Sequence, residues 1–264
     1  MNTATSALSI EHVSVHFGGL AAVADMSFVV NEGELVSLIG PNGAGKTTAF
    51  NVITGFLKPT QGEVRYRGVS LTGLKSHEVA NLGLVRTFQK TSVFANNTVF
   101  DNVLIGLHRH GKASVWATLL ALPRVRDEEA RLREDVWDIL RFVGLDKRAN
   151  ELGGALPYGE QRLLEVAIAL AARPTLLLLD EPVSGMNPSE TASFIALLRK
   201  IRDRDITVLL VEHDMHLVMN VSDRIVVLNY GRIIAEGPPA SIQQNPEVIR
   251  AYLGHGVKRP AAHA

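Results

Sequence analysis

The chain has 264 residues, enough for one large core or for a core with an inserted subdomain. Its 27 Lys+Arg balance 27 Asp+Glu, so the net charge gives no sign of a protein built to coat nucleic acid. There is no cysteine, which excludes disulfides, thiolate zinc sites and cysteine nucleophiles.

In chain order, the first residues lack the basic flank and apolar core of a signal peptide. Leu8–His16 reads as a strand, and Glu34–Ile39 as the next. The second leads into Gly40-Pro41-Asn42-Gly43-Ala44-Gly45-Lys46-Thr47, which fits G-x-x-x-x-G-K-[ST] without a mismatch. The helix-compatible run Thr47–Ile53 follows, so the motif has the strand–loop–helix context it requires. Val64–Tyr66 and Leu84–Thr87 are further strands. From about 97 to 154 the pattern turns helical and charged, as in an inserted helical subdomain. There Asp127/Arg131 and Glu129/Arg133 stand at i,i+4 spacing on a solvated helix face. Leu176–Leu179, Thr207–Val211 and Arg224–Leu228 are apolar strands suited to burial on both faces of a sheet. The alternation predicts an α/β core, with a disordered tail at the C-terminus. No apolar stretch approaches the roughly 18 residues needed to span a bilayer.

The phosphate loop predicts a bound nucleoside triphosphate. Glycines let backbone N–H groups close around a polyphosphate, and the helix N-terminus adds positive potential. Lys46 is suited to the β- and γ-phosphates, and the Thr47 hydroxyl to Mg²⁺. This loop alone leaves kinases, GTPases and motor ATPases open. Leu176–Pro182 narrows the field: Asp180, at the strand's C-terminal edge, can hold Mg²⁺ through water. Glu181 is then the general base for an attacking water, although Asp-Glu by itself also suits a solvated strand end. His213, after another buried strand, can contact the γ-phosphate and hold the water. His213 and His216 have H-x-x-H spacing but lack the helical H-E-x-x-H arrangement and a third ligand, which argues against a transition metal. His108 and His110, around Arg109, read as surface residues.

These motifs together resemble the ATP-binding-cassette (ABC) ATPases, from about Leu8 to Gly254. The phosphate loop is Gly40–Thr47, the glutamine loop Gln89, the signature Leu156-Pro-Tyr-Gly-Glu-Gln161, the Walker B segment Leu176–Glu181, the D-loop Ser184–Asn187 and the switch histidine His213. The resemblance implies a P-loop NTPase core with a parallel sheet, an antiparallel β subdomain and an inserted helical subdomain. It implies one domain over 6–254, with core and β subdomain at about 6–96 and 162–238, helical subdomain at about 97–161, a helical tail at 239–254 and disorder over 255–264. It also implies that Phe17 stacks on adenine, although a core aromatic is the alternative reading. Gln89 would bind Mg²⁺ and water. Nucleotide contacts would run through Thr48 and include Tyr158, Gly159 and Glu160 of the signature, with ATP held head-to-tail between two cassettes.

The signature departs from Leu-Ser-Gly-Gly-Gln. Pro157 removes a hydroxyl, Tyr158 replaces a glycine, and Glu160 brings a carboxylate toward ATP, normally unfavourable. Asn187 stands where aspartate is common. Phe17-Gly-Gly-Leu20, the Tyr-Gly-Glu-Gln signature, Asn187-Pro188 and the ending Pro246–Gly254 further resemble ATP-binding subunits of branched-chain amino acid importers. That implies two transmembrane permeases, a second or identical ATPase, an extracytoplasmic solute-binding protein and a place at the cytoplasmic membrane face. Urea or amide uptake, envelope lipid export and a soluble cassette acting on ribosomes or DNA are the alternatives. The last usually shows fused cassettes or basic arms, which this chain lacks.

Overall fold

A computed structural model describes residues 6–87, 93–107 and 123–253. Gln89, the stretch His108–His110, part of the predicted helical insertion and the tail from Gly254 lie outside the described residues. By contact density the chain divides into two units, one formed by the chain up to Val79 together with Thr207 onward, the other by Ala80–Ile206.

In the first unit, β1 (Ser6–Phe17) and β2 (Leu20–Asn31) form an antiparallel hairpin closed by Gly18-Gly19. β4 (Gln61–Tyr66) pairs with β1, and the short β5 (Val69–Ser70) extends it, giving the antiparallel order β2-β1-β4-β5. A second run centres on β3 (Leu35–Ile39), flanked in parallel by β8 (Thr207–Val211) and β9 (Arg224–Asn229). β10 (Arg232–Gly237) closes the run antiparallel to β9. All five residues of β3 and of β8 are buried, Ser37 and Thr207 included, as in strands covered on both faces.

Helix α1 (Lys46–Ile53) follows the phosphate loop, and α2 (Ser76–Asn81) comes later in the chain. In the second unit, β6 (Leu84–Arg86) and β7 (Leu176–Asp180) are parallel neighbours. Its helices are α3 (Val99–Leu107), α4 (Pro123–Val143), α5 (Tyr158–Ala171) and α6 (Pro188–Arg202). Back in the first unit, α7 (Met215–Val221), α8 (Pro239–Gln243) and α9 (Pro246–Leu253) are the last helices among the described residues.

Glycine controls the packing of the helical part. A Cβ on Gly106 of α3 would lie 2.8 Å from the Ile168 carbonyl of α5, so only glycine lets the two helices approach this closely. Fully buried Asn102 replaces missing backbone partners: its amide donates to Phe94 and Thr98 carbonyls at 3.1 and 2.8 Å and accepts from the Phe94 N–H at 2.8 Å. In the first unit, Ile39 at the end of β3 packs with Val218, Ile225, Val227, Ile242 and Val248. The C-terminal helices therefore support the strand that delivers the phosphate loop.

The parallel strands, antiparallel sheet and helices match the predicted fold class. Three strands were not predicted. β2 carries three alanines and an aspartate in its first half, which mask the alternation of Met26, Phe28 and Val30 that follows; β5 has two residues, and β10 has no buried residue. α5 starts at Tyr158, directly after Pro157, which is extended (φ −53°, ψ 152°) and serves as its N-cap.

Candidate functional site

The phosphate loop is shaped by close backbone contacts. At Gly40 (φ +153°) a Cβ would stand 2.0 Å from the Leu228 carbonyl oxygen of β9; at Gly45 (φ +105°) it would stand 2.5 Å from the Ala22 carbonyl of β2. Side chains are excluded at both positions by sterics and by dihedral angle. The Gly231 N–H donates to Ala44 O at 2.9 Å, and the Ala24 N–H to Gly231 O at 2.8 Å, so β2 and the β9–β10 turn brace the loop.

Gly45 caps α1, whose first turn has no acidic residue. The buried Lys46 ammonium curls back to donate to the Gly40 and Pro41 carbonyls at 2.6 and 3.0 Å. Asn42, Gly43 and Thr47 are exposed, and Pro41 and Thr48 half-buried. Backbone N–H groups at a helix start plus a lysine make a site for a polyphosphate anion.

Phe17 stands beside the hairpin turn, 51% exposed, and so is not a core aromatic. His213 follows β8, its imidazole exposed. The preceding Glu212 is wholly buried: its Oε2 accepts the His213 and Asp214 backbone N–H at 2.7 and 3.1 Å and lies 3.6 Å from His213 Nδ1. That carboxylate fixes the turn presenting the histidine. Asp214 then caps α7 through the Leu217 N–H at 3.1 Å. Among the described residues no cluster of three or more potential metal-ligating side chains occurs, around His216 or elsewhere. Tyr252 of α9 reaches the phosphate loop. Burial pushes its hydroxyl up from the ordinary value, offset in part by the Gly40 backbone amide that it faces.

In the second unit, Asp180 ends the fully buried β7. Its Oδ2 accepts a 2.6 Å hydrogen bond from Arg86 of β6, and both side chains are buried. At Glu181 the backbone turns left-handed (φ +46°), which costs a non-glycine residue about 1–2 kcal/mol and ends the strand's alternation. Strain of this kind gathers where a side chain must be aimed. The chain then turns through Ser184 N–H to Glu181 O (3.2 Å) and Met186 N–H to Val183 O (3.0 Å).

Asn187 caps α6 in a complete capping box. Its side chain accepts from the Ser189 and Glu190 N–H at 2.9 and 3.0 Å, and Glu190 accepts from the Asn187 N–H at 2.8 Å. Aspartate would cap equally well, so this departure leaves the backbone unchanged.

At the start of α5, the Tyr158 hydroxyl accepts from Arg162 Nε and Nη2 at 3.1 and 2.6 Å, and Arg162 Nη1 donates to Glu165 at 2.8 Å. Burial opposes the Arg162 charge, but Glu165 and Tyr158 outweigh it and push the guanidinium up. Glu160 is paired: its Oε2 lies 3.2 Å from Arg148 Nε. The arginine offsets the repulsion that an isolated carboxylate here would exert on an anion.

The ABC transporter family model matches residues 23–184, more than half of the chain. This chain belongs to the ABC transporter family. A second model, the branched-chain amino acid ATP-binding cassette transporter, matches residues 232–258 of the cassette. The high-affinity branched-chain amino acid transport ATP-binding protein BraF of Pseudomonas aeruginosa is 46% identical over 248 residues, covering 94% of this chain and 97% of that protein. LivG of Escherichia coli K12, whose name describes the same role, is 45% identical over 250 residues, covering 94% and 97%. Among solved structures, the ADP conformation of an ATP-binding cassette of an ABC transporter has a TM-score of 0.82 at 32% identity, covering 94% of this chain and 99% of that one. A nucleotide-free cassette has a TM-score of 0.81, also at 32% identity.

The cassette is accordingly an ATPase that binds ATP and serves transport, and no helix among its described residues is long and apolar enough to cross a membrane. Its first unit brings the phosphate loop together with Tyr252. His213 and Phe17 belong to the same unit. Its second unit holds Asp180 and Glu181, and the signature beside the D-loop. Sequence reasoning gave no role to Arg86, Glu212, Arg162 or Tyr252. Arg86 and Tyr252 have partners distant in sequence, Glu212 bonds the local backbone, and Arg162 bonds side chains one turn away on its own helix; apolar periodicity reports none of these.

Proposed function

We propose that this cassette is the ATP-hydrolysing subunit of an importer for branched-chain or other hydrophobic amino acids. The observation that carries the reading is the pairing on one chain of the ABC module at 23–184 with the branched-chain module at 232–258. Whole-length identity of 45–46% to BraF and LivG supports it.

In this reading the backbone N–H groups of Gly40–Gly45 and the start of α1 bind the phosphates. Lys46 exchanges its loop carbonyls for phosphate oxygens, and Phe17 stacks on the base. Glu181 takes a proton from the attacking water, and His213, oriented by Glu212, bonds the γ-phosphate. Thr47, Gln89 and Asp180 offer hydroxyl, amide and carboxylate oxygens, the hard donors that suit Mg²⁺, and would hold that ion. When bound, Mg²⁺ supplies charge neutralisation on the phosphates. Tyr158, Gly159 and Glu160 would face the nucleotide of a second cassette in a head-to-tail pair.

ATP drives the cycle only through higher affinity for the closed pair than for the open one. Hydrolysis and product release reopen it. The pair would sit at the cytoplasmic face of the membrane on two permeases, fed by an extracytoplasmic binding protein. Affinity capture of the tagged chain from gently solubilised native membranes tests this. Two hydrophobic permeases with a second cassette are expected; lipid-export, ribosomal or DNA-associated partners would overturn the importer reading.

A further inference from the structure

The departure of the signature at Tyr158 has a partner in the structure. Both the signature and the D-loop lie in the second unit, and the tyrosine ring rests against Gly185 of the D-loop. A Cβ built on Gly185 would stand 3.0 Å from Tyr158 Cε1 and 3.5 Å from Cζ. Gly185 has φ +82°, so the loop already needs glycine there, and the ring fills the space a side chain would take. The ring is held from its far end. Two N–H groups of Arg162 converge on the phenol oxygen at 3.1 and 2.6 Å. The guanidinium carbon lies 5.0 Å from the ring centroid, within cation–π range. Arg162 is 9% exposed and pinned by Glu165 at 2.8 Å, so the anchor does not swing.

A second contact joins the same two segments one residue further on. A Cβ on Gly159 would lie 2.5 Å from Glu190 Oε1, and the other oxygen of Glu190 accepts the Asn187 N–H at 2.8 Å. The four-residue D-loop is therefore held at Gly185 by the tyrosine ring and at Asn187 through Glu190. A glycine at position 158, as in the common signature, could make neither the ring contact nor the arginine bond.

We propose that Tyr158, anchored by Arg162, is a positioning residue that latches the signature to the D-loop, so that the two segments move as one body. This rests on the ATPase reading above, in which both segments approach the nucleotide of the partner cassette. The latch converts the loss of a flexible glycine into a preset arrangement of the segments that must close on ATP.

The full-length chain carrying Tyr158→Ala tests the latch with three readouts: affinity for a fluorescent ATP analogue, steady-state ATP hydrolysis, and amide exchange of the segment 183–187. ATP affinity is expected to fall less than kcat, which drops about tenfold, because the phosphate loop is untouched while the signature loses its hold on the D-loop. Exchange at Gly185 and Met186 should rise whether or not the isolated chain turns over. Tyr158→Phe keeps the ring but loses the Arg162 bond and should fall between. Gly185→Ala presses on the ring, and its effect on exchange should be non-additive with Tyr158→Ala. Wild-type exchange and turnover in Tyr158→Ala, or strict additivity of the pair, would overturn the latch. Absence of ATP binding in the wild-type chain would instead sink the ATPase reading.

Discussion

Gly40 offers the sharpest quantitative test of the phosphate-loop geometry. An alanine there must place its Cβ where the Leu228 carbonyl oxygen stands 2.0 Å away and the Leu228 carbonyl carbon 3.0 Å away. Both atoms belong to the backbone of β9, a buried strand that cannot yield as a side-chain tip would. Backbone strain at φ +153° adds about 1–3 kcal/mol for a non-glycine residue. Overpacking a rigid neighbour costs about 1–3 kcal/mol more. The sum, about 4 kcal/mol, is a large share of the 5–15 kcal/mol typical of folded domains. At roughly 3 °C per kcal/mol it lowers Tm by about 12 °C.

Gly43 is the internal control. It has φ +79° but nothing within 4 Å of a built Cβ. Gly43→Ala should therefore pay only the dihedral strain, about 1–2 kcal/mol or a few degrees. Thermal unfolding followed by circular dichroism reads both variants, and a fluorescent ATP analogue reads the loop. Gly40→Ala with a Tm within roughly 2 °C of wild type, or a smaller loss than Gly43→Ala, would refute the contact argument.

Lys46→Ala should weaken ATP binding by about ten- to a hundredfold, the worth of a charge-assisted hydrogen bond, and unchanged affinity in an equilibrium titration would contradict the loop assignment. Burial alone would raise the Glu34 carboxyl. Arg224, bonded to both its oxygens at 2.7 Å, and the Asn31 backbone N–H outweigh that and hold it below its ordinary value of 4.5. Because the folded value is depressed, this stabilisation is present above pH 4.5 and is lost as pH falls through the folded value. Urea denaturation of wild type and Glu34→Gln should show a gap at pH 7 that closes in acid; a gap independent of pH would count against it. Asn187→Ala should cost about 1 kcal/mol in the same assay and Asn187→Asp almost nothing, whereas equal losses would remove the capping role.

Much of the site was legible because its motifs are local. The loop 40–47 carries its own geometry in the order of its glycines and lysine, and β3, β7 and β8 stand out as predominantly apolar runs. Contacts between remote residues were not legible. Nothing near Glu160 in sequence reveals that Arg148 neutralises it, so the carboxylate looked more disruptive than its surroundings make it. Tyr158 looked like a lost glycine, because its meaning lies in Arg162 one helical turn on and in Gly185 on a separate loop. β2 and β10 escaped for another reason. β10 has no buried residue of its own and is held by pairing with β9, and the apolar alternation of β2 begins only at Met26, after three alanines and an aspartate.

The most direct test of the central claim is ATP-driven uptake in membrane vesicles that contain this chain with its captured permeases and binding protein. Radiolabelled leucine, isoleucine and valine would be offered to complexes carrying wild-type cassette or Glu181→Gln. The account predicts ATP-dependent accumulation with the wild type, and retained ATP binding with little hydrolysis or uptake in the variant. Uptake by the Glu181→Gln complex at the wild-type rate would contradict the assigned chemistry. Active hydrolysis by the wild-type complex without accumulation of any hydrophobic amino acid would contradict the importer assignment.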